Sequence, residues 1–201
     1  MMDMEFIEEP ITAAAELARI PIAFNVESVF DVTPRDGGLG GLVLSERRVD
    51  VPYVKNYDAF EGEHPSQWAA RFDVSNWGLI AARSGGVRVG GAVIAYDTQG
   101  VNMLEGRADL AVLWDIRVAP EARGRGAGFG LFRAVEAWAS ARGCELLKIE
   151  TQNVNVAACR FYARQGCVLG AINRFAYREL PEEVQLLWYK TLPRPGGDLE
   201  S

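Results

Sequence analysis

The chain has 201 residues, of which 49% are hydrophobic, enough for one folded domain with a full core. Its formal net charge of −6 argues against nucleic-acid binding, which usually presents a basic patch, and is compatible with a cationic substrate. No apolar run reaches the ~18 residues of a membrane helix, and the stretch from Met1 to Pro10 carries acidic but no basic residues, unlike a signal peptide.

Taken in order, Met4 to Ile7 reads as a short strand and Ala13 to Arg19 as a loose helical piece. Glu27 to Val32 alternates like a strand. Asp36-Gly37-Gly38 and Gly40-Gly41 mark a turn, and Leu42-Val43-Leu44 starts a strand that passes into a polar loop at Ser45 to Arg48. Between Asn56 and Trp77, Ser66 is a candidate cap for a helix through Trp68 to Phe72. The aromatics Tyr53, Tyr57, Phe60, Trp68, Phe72 and Trp77 recur through this region, as packing residues or as the wall of a substrate cleft. His64 has no partner that would make it catalytic, and a single histidine makes a zinc site improbable. Leu79 to Tyr96 reads as a hairpin turning at Ser84-Gly85-Gly86, with Gly90-Gly91 marking a bulge or a close backbone approach.

Asp109 to Val118 is the strand that feeds the stretch Arg123-Gly124-Arg125-Gly126-Ala127-Gly128-Phe129-Gly130. A helix over Phe129 to Arg142 follows, with Leu131, Ala134, Val135 and Trp138 on its apolar face and Gly143 beyond its end. Strand, glycine-rich turn and helix together bind phosphate. Glycine lets the backbone approach closely, and the open N–H groups of a helix start point at the anion. Arg123 and Arg125 can add charge-assisted hydrogen bonds. The spacing excludes two ligand classes. A dinucleotide fingerprint needs a third glycine where Phe129 or Leu131 stands, and a nucleotide P-loop needs Lys-Ser/Thr where Leu131-Phe132 stands.

Glu145 to Gln152 is a strand with Leu147, Ile149 and Thr151 on one face and Lys148, Glu150 and Gln152 on the other. Asn155 caps a helix over Val156 to Gln165, which Gly166 ends; Tyr162 lies about two turns along it. Strands at Ile172 to Tyr177 and Val184 to Lys190 close the chain. With no repeat and no linker, residues 1–192 form a single domain and residues 193–201 a disordered tail. The three cysteines, Cys144, Cys159 and Cys167, contain no C-x-x-C and read as reduced thiols in a cytoplasm. Oligomeric state is open, a homodimer included.

The R-G-x-G-x-G of Arg123 to Gly128 resembles the pyrophosphate loop of the GCN5-related N-acetyltransferases, the GNAT superfamily. Asn155-Val-Ala-Ala-Cys-Arg-Phe-Tyr162 resembles its second motif. From Asp109 to Leu192 the likeness narrows to the streptothricin acetyltransferases, through Leu113-Trp-Asp-Ile-Arg-Val-Ala-Pro, Ile149-Glu-Thr-Gln, Ala158-Cys-Arg-Phe-Tyr, Gly170-Ala-Ile-Asn-Arg-Phe-Ala-Tyr and Glu183-Val-Gln-Leu-Leu-Trp-Tyr-Lys. The resemblance implies an α/β fold, with a mixed, mostly antiparallel central sheet flanked by helices and splayed central strands. It implies acetyl transfer from acetyl coenzyme A, without a metal, to a primary amine of a small cationic molecule such as streptothricin. The rivals are another amine (a polyamine, an aminoglycoside or a protein lysine) and a non-catalytic coenzyme A-binding module. Residues Arg123 to Gly130 and Asn155 would hold the cofactor, and backbone N–H groups at Arg117 and Val118 would polarise the thioester carbonyl. Tyr162 would protonate the leaving thiolate. Asp115 or Glu150 would serve as base, position a water or bind the cation. Asp115 is preferred, although it shares a strand face with Arg117, and Glu150 shares one with Lys148, so either could be a structural ion pair.

Overall fold

The computed structural model describes residues 4–193. The strands are β1 (Met4–Glu9), β2 (Phe24–Pro34), β3 (Leu42–Lys55), β4 (Gly78–Ser84), β5 (Val87–Ala95), β6 (Leu110–Val118), β7 (Leu146–Gln152), β8 (Val168–Asn173) and β9 (Gln185–Thr191). The helices are α1 (Ala14–Leu17), α2 (Trp68–Arg71), α3 (Ala127–Ala141) and α4 (Val156–Arg164). The architecture is mixed α/β, with a large, mostly antiparallel sheet and flanking helices. The chain divides into two compact units, one of Met1–Ile22, Tyr57–Lys148 and Thr191–Ser201, the other of Ala23–Asn56 and Ile149–Lys190. The tail beyond Pro193 lies outside the described residues.

In the first unit the strand order is β1-β4-β5-β6, followed by the start of β7, and the first three pairings are antiparallel. The β4–β5 turn uses Gly85 and Gly86, both at positive φ, which a tight hairpin requires. Both sequence readings of Gly90-Gly91 hold. The register slips at Val89, and a Cβ on Gly90 would stand 2.8 Å from the carbonyl oxygen of Arg117. A second slip, at Trp114 of β6, re-aims the strand just before Asp115.

Helix α3 buries Leu131, Phe132, Val135, Trp138 and Ala139. Gly78 and Gly130 admit aromatic rings where a Cβ would collide, Trp138 on the first and Phe6 on the second. Trp68 and Trp77 belong to the core, with Phe72 and Trp114 stacked around them at ring separations of 5.1–6.4 Å. Trp68, Phe72 and Trp77 thus pack in the core, whereas Tyr53 and Phe60 are exposed. His64, not Ser66, starts the turn before α2: its Nδ1 accepts from the Ser66 backbone N–H at 3.3 Å.

In the second unit, β2 and β3 form a two-stranded ribbon and the order β7-β9-β8 continues from the end of β7. The polar stretch Ser45 to Arg48 is strand rather than loop. Its side chains find cross-strand partners, Ser28 on Glu46 at 2.7 Å and Asp31 on Arg47 at 2.9 Å. Asn153, which the sequence did not single out, ties three segments together. Its Nδ2 donates to the carbonyls of Phe30 and Glu182, and its Oδ1 accepts from Val184 N–H. Strand β8 runs earlier than the sequence suggested, which leaves Tyr177 in the connection to β9.

Candidate active site

The glycine stretch lies where strand gives way to helix. Gly124 and Gly126 have φ of +72° and +91°, which L side chains avoid, and a Cβ on either would meet nothing within 4 Å. Gly126 is the N-cap of α3 and supplies no side-chain cap. The N–H groups of Ala127, Gly128 and Phe129 therefore have no intrahelical acceptor, as in any first helical turn. Gly130 differs: its N–H donates to Gly126 O at 2.9 Å and its missing Cβ accommodates Phe6, so its role is packing. Arg123 Nε donates to Val118 O at 3.1 Å, bracing the loop against β6, and Arg125 is exposed. Arg117 and Val118 pair with Gly91 and Gly90 of β5.

The Arg117 side chain is fully buried between two carboxylates. It meets Asp115 through Nε at 2.9 and 3.0 Å and through Nη2 at 2.7 Å, and Asp58 at 2.7 Å from each terminal nitrogen. Nη1 also reaches Ile20 O. Burial pushes the Asp115 carboxyl up, against the opposing pull of Arg117. Burial opposes the charge on Arg117, but the two carboxylates outweigh it and hold the guanidinium protonated. The ion pair allowed by the Asp115–Arg117 spacing thus forms, with Asp58 as an added partner from 59 residues away. No local pattern in the sequence could have shown that partner.

Glu150 is placed differently. Lys148, its neighbour on the same strand face, donates to Glu105 at 2.6 Å and to Met103 O at 3.2 Å. Glu150 instead accepts from neutral groups. Tyr177 OH reaches Oε1 at 2.5 Å, Gln152 Nε2 reaches Oε1 at 3.4 Å, and Gln185 Nε2 reaches Oε2 at 2.8 Å. Gln152 also donates to the Tyr177 oxygen at 3.0 Å. Burial, followed by the negative charge of Glu150, pushes the Tyr177 phenol up, so it remains a donor. Tyr177 and Gln185, which hold Glu150, were not singled out in the sequence. Their only sequence signal was membership in the two C-terminal strings that resemble the streptothricin acetyltransferases.

On α4, Asn155 caps the helix as expected, with Oδ1 accepting from Ala158 N–H at 3.1 Å. Tyr162 is buried, with Phe161 packed edge-on at 5.2 Å between ring centres. The cysteines are buried and form no disulfide; burial pushes Cys144 up to about 11 and also raises Cys159. Among the described residues, no group of three or more His, Cys, Asp and Glu side chains could hold a metal ion.

A glycine-rich turn that opens a helix, on a mixed α/β scaffold, is an arrangement that suits a phosphate-bearing ligand, and comparison with known proteins identifies the class of protein. Residues 49–167 match the acetyltransferase (GNAT) family. The chain belongs to that family and is an N-acetyltransferase. It is 32% identical to the streptothricin acetyltransferase of Escherichia coli over 171 residues, 83% of this chain and 84% of that one. It is 28% identical to the Streptomyces lavendulae streptothricin acetyltransferase over 173 residues, 86% of each chain. Among solved structures, nourseothricin acetyltransferase superposes with a TM-score of 0.72 at 25% identity, covering 94% of this chain and 99% of that one. A Bacillus anthracis protein in complex with acetyl coenzyme A has the same TM-score at 22% identity, covering 94% and 100%.

Proposed function

We propose that this enzyme transfers the acetyl group of acetyl coenzyme A to a primary amine of a small cationic molecule, with streptothricin the first choice. The observation that carries the acceptor is the likeness to streptothricin acetyltransferases, which extends over most of the chain. The loop Arg123 to Phe129 holds the pyrophosphate through backbone N–H groups and the two arginines. Backbone N–H groups at Arg117 and Val118 polarise the thioester carbonyl.

Glu150 meets the protonated amine and takes its proton, directly or through a water. The freed lone pair attacks the carbonyl carbon, the C–S bond breaks, and Tyr162 donates a proton to the departing sulfur. A phenol suits that step, because its usual pKa of ~10 is close to that of a thiol. Of the two candidate bases, Glu150 is the better supported. Asp115 already faces the buried Arg117 at three distances of 3.0 Å or less, whereas Glu150 makes no ion pair among the described residues and accepts from a phenol and two amides.

The test is a panel of amines with a free-thiol readout. Streptothricin should turn over with a kcat/KM well above those of polyamines, aminoglycosides and lysine peptides. Faster release with another member would replace the acceptor. No thiol release with any of them would place the acceptor outside these amine classes.

A further inference from the structure

We propose that Tyr177 and Gln185 are positioning residues, which hold Glu150 as an aimed carboxylate for a protonated amine and so make the enzyme selective for cationic acceptors. The proposal rests on the reading of Glu150 as the amine-facing group.

A half-buried carboxylate normally acquires an arginine or lysine, because burial disfavours an uncompensated charge. Three other buried or part-buried carboxylates obey this rule. Asp115 has Arg117, Glu183 has Lys55, and Glu9 has Arg83 and Arg88. Glu150 does not: among the described residues it makes no ion pair, and its oxygens are occupied by a phenol and two amides. Neutral donors favour the charged form of a carboxylate by hydrogen bonding and leave its negative charge uncancelled. Such a group suits a cation that must bind and then leave, since a resident arginine would compete for the same oxygens.

The donors also fix direction. Tyr177 comes from the β8–β9 connection and holds Oε1, while Gln185 opens β9 and holds Oε2, so the carboxylate is pinned at both ends. Gln152 braces the phenol oxygen from β7 itself. The charged and titratable groups around the cluster are Lys148 on β7, committed to Glu105; Tyr177; and Glu183, which acts on Tyr177 and is paired with Lys55.

The experiment measures the pH dependence of kcat/KM for a cationic acceptor, together with thermal melting, in Tyr177→Phe, Gln185→Met and Glu150→Gln. Removing a hydrogen bond to the ionised form raises a carboxyl pKa, so the acid limb should move up by about 0.5–1 pH unit in each of the first two variants. KM for the acceptor should rise about three- to tenfold, with a smaller change in kcat. Glu150→Gln should lose the limb altogether. A purely structural role would lower the melting temperature and scale the rate at every pH without moving the limb. If Glu150→Gln loses the limb while Tyr177→Phe and Gln185→Met leave it in place, the positioning proposal is wrong and the reading of Glu150 stands. If Glu150→Gln keeps a wild-type profile, both fall. Should Tyr177→Phe fail to fold, Gln185→Met carries the test, because it keeps the length of the side chain and removes only the amide.

Discussion

At the scale of single residues, chemistry and packing compete for the same side chains. Tyr162 is buried on α4 with Phe161 against it, which is how a core tyrosine would look as well. The two roles separate in Tyr162→Phe, which keeps the ring and deletes the hydroxyl. As the acid for the leaving thiolate, the hydroxyl acts mainly as charge develops on sulfur. Its loss should reduce kcat by ~10²–10⁴-fold and leave acetyl coenzyme A affinity and melting temperature nearly unchanged. A core tyrosine would instead lose stability and keep its turnover, so kcat and melting measured on one preparation distinguish the two. The sequence pointed to Tyr162 because its motif is contiguous. The sequence reading preferred Asp115 to Glu150 as the base, although each has a cation two residues away on its own strand. The partners that separate them stand far along the chain: Asp58 for Arg117, Tyr177 and Gln185 for Glu150.

Between the elements, the boundaries that could be read were those set by local chemistry. Gly143 follows the last turn of α3 and Asn155 caps α4, each a one-residue decision visible in the sequence, whereas α3 starts at Ala127 behind the positive-φ Gly126, two residues before the Phe129 that the sequence suggested. The ribbon strand β3 was not visible in this way, because Glu46 and Arg47 look like loop residues until Ser28 and Asp31 of the paired strand are brought diagonally against them. The attachment of β1 is another long-range device. Glu9 receives Arg83 from β4 and Arg88 from β5. Burial raises its carboxyl, but the two arginines outweigh burial and hold it below the usual range. A carboxyl lowered by folding contributes stability above its unfolded pKa and loses that contribution as pH falls through the folded one. Glu9→Gln should therefore lower the melting temperature by about 3–6 °C at pH 7, corresponding to roughly 1–2 kcal/mol. The gap from wild type should begin to narrow as pH falls through the usual glutamate pKa of about 4.3 and close only below the lowered folded value, where the native carboxyl is itself protonated. Melting curves from pH 3 to 8 check this, and a gap that persists unchanged at pH 3 would show that the charge is not what holds β1.

For the whole molecule, the formal charge of −6 bears on how substrates arrive. An acidic protein attracts a polycation over roughly a Debye length, ~10 Å at 0.1 M salt, and repels an anion such as acetyl coenzyme A over the same range. The two substrates should therefore respond to salt in opposite senses. Raising ionic strength from about 50 to about 500 mM should lower kcat/KM for a polycationic acceptor by roughly three- to tenfold. Over the same range kcat/KM for acetyl coenzyme A should change less, because Arg123 and Arg125 offset the net repulsion locally while their own attraction is also screened. Steering acts on encounter, so kcat at saturation should stay flat, and an uncharged viscosity agent separates diffusion from chemistry. The acceptor's charge is the decisive variable. A monoamine should show a shallow salt dependence and a polyamine-like acceptor a steep one. Equal slopes for both would place selectivity entirely in short-range contacts such as the Glu150 carboxylate and remove the protein's net charge from the account.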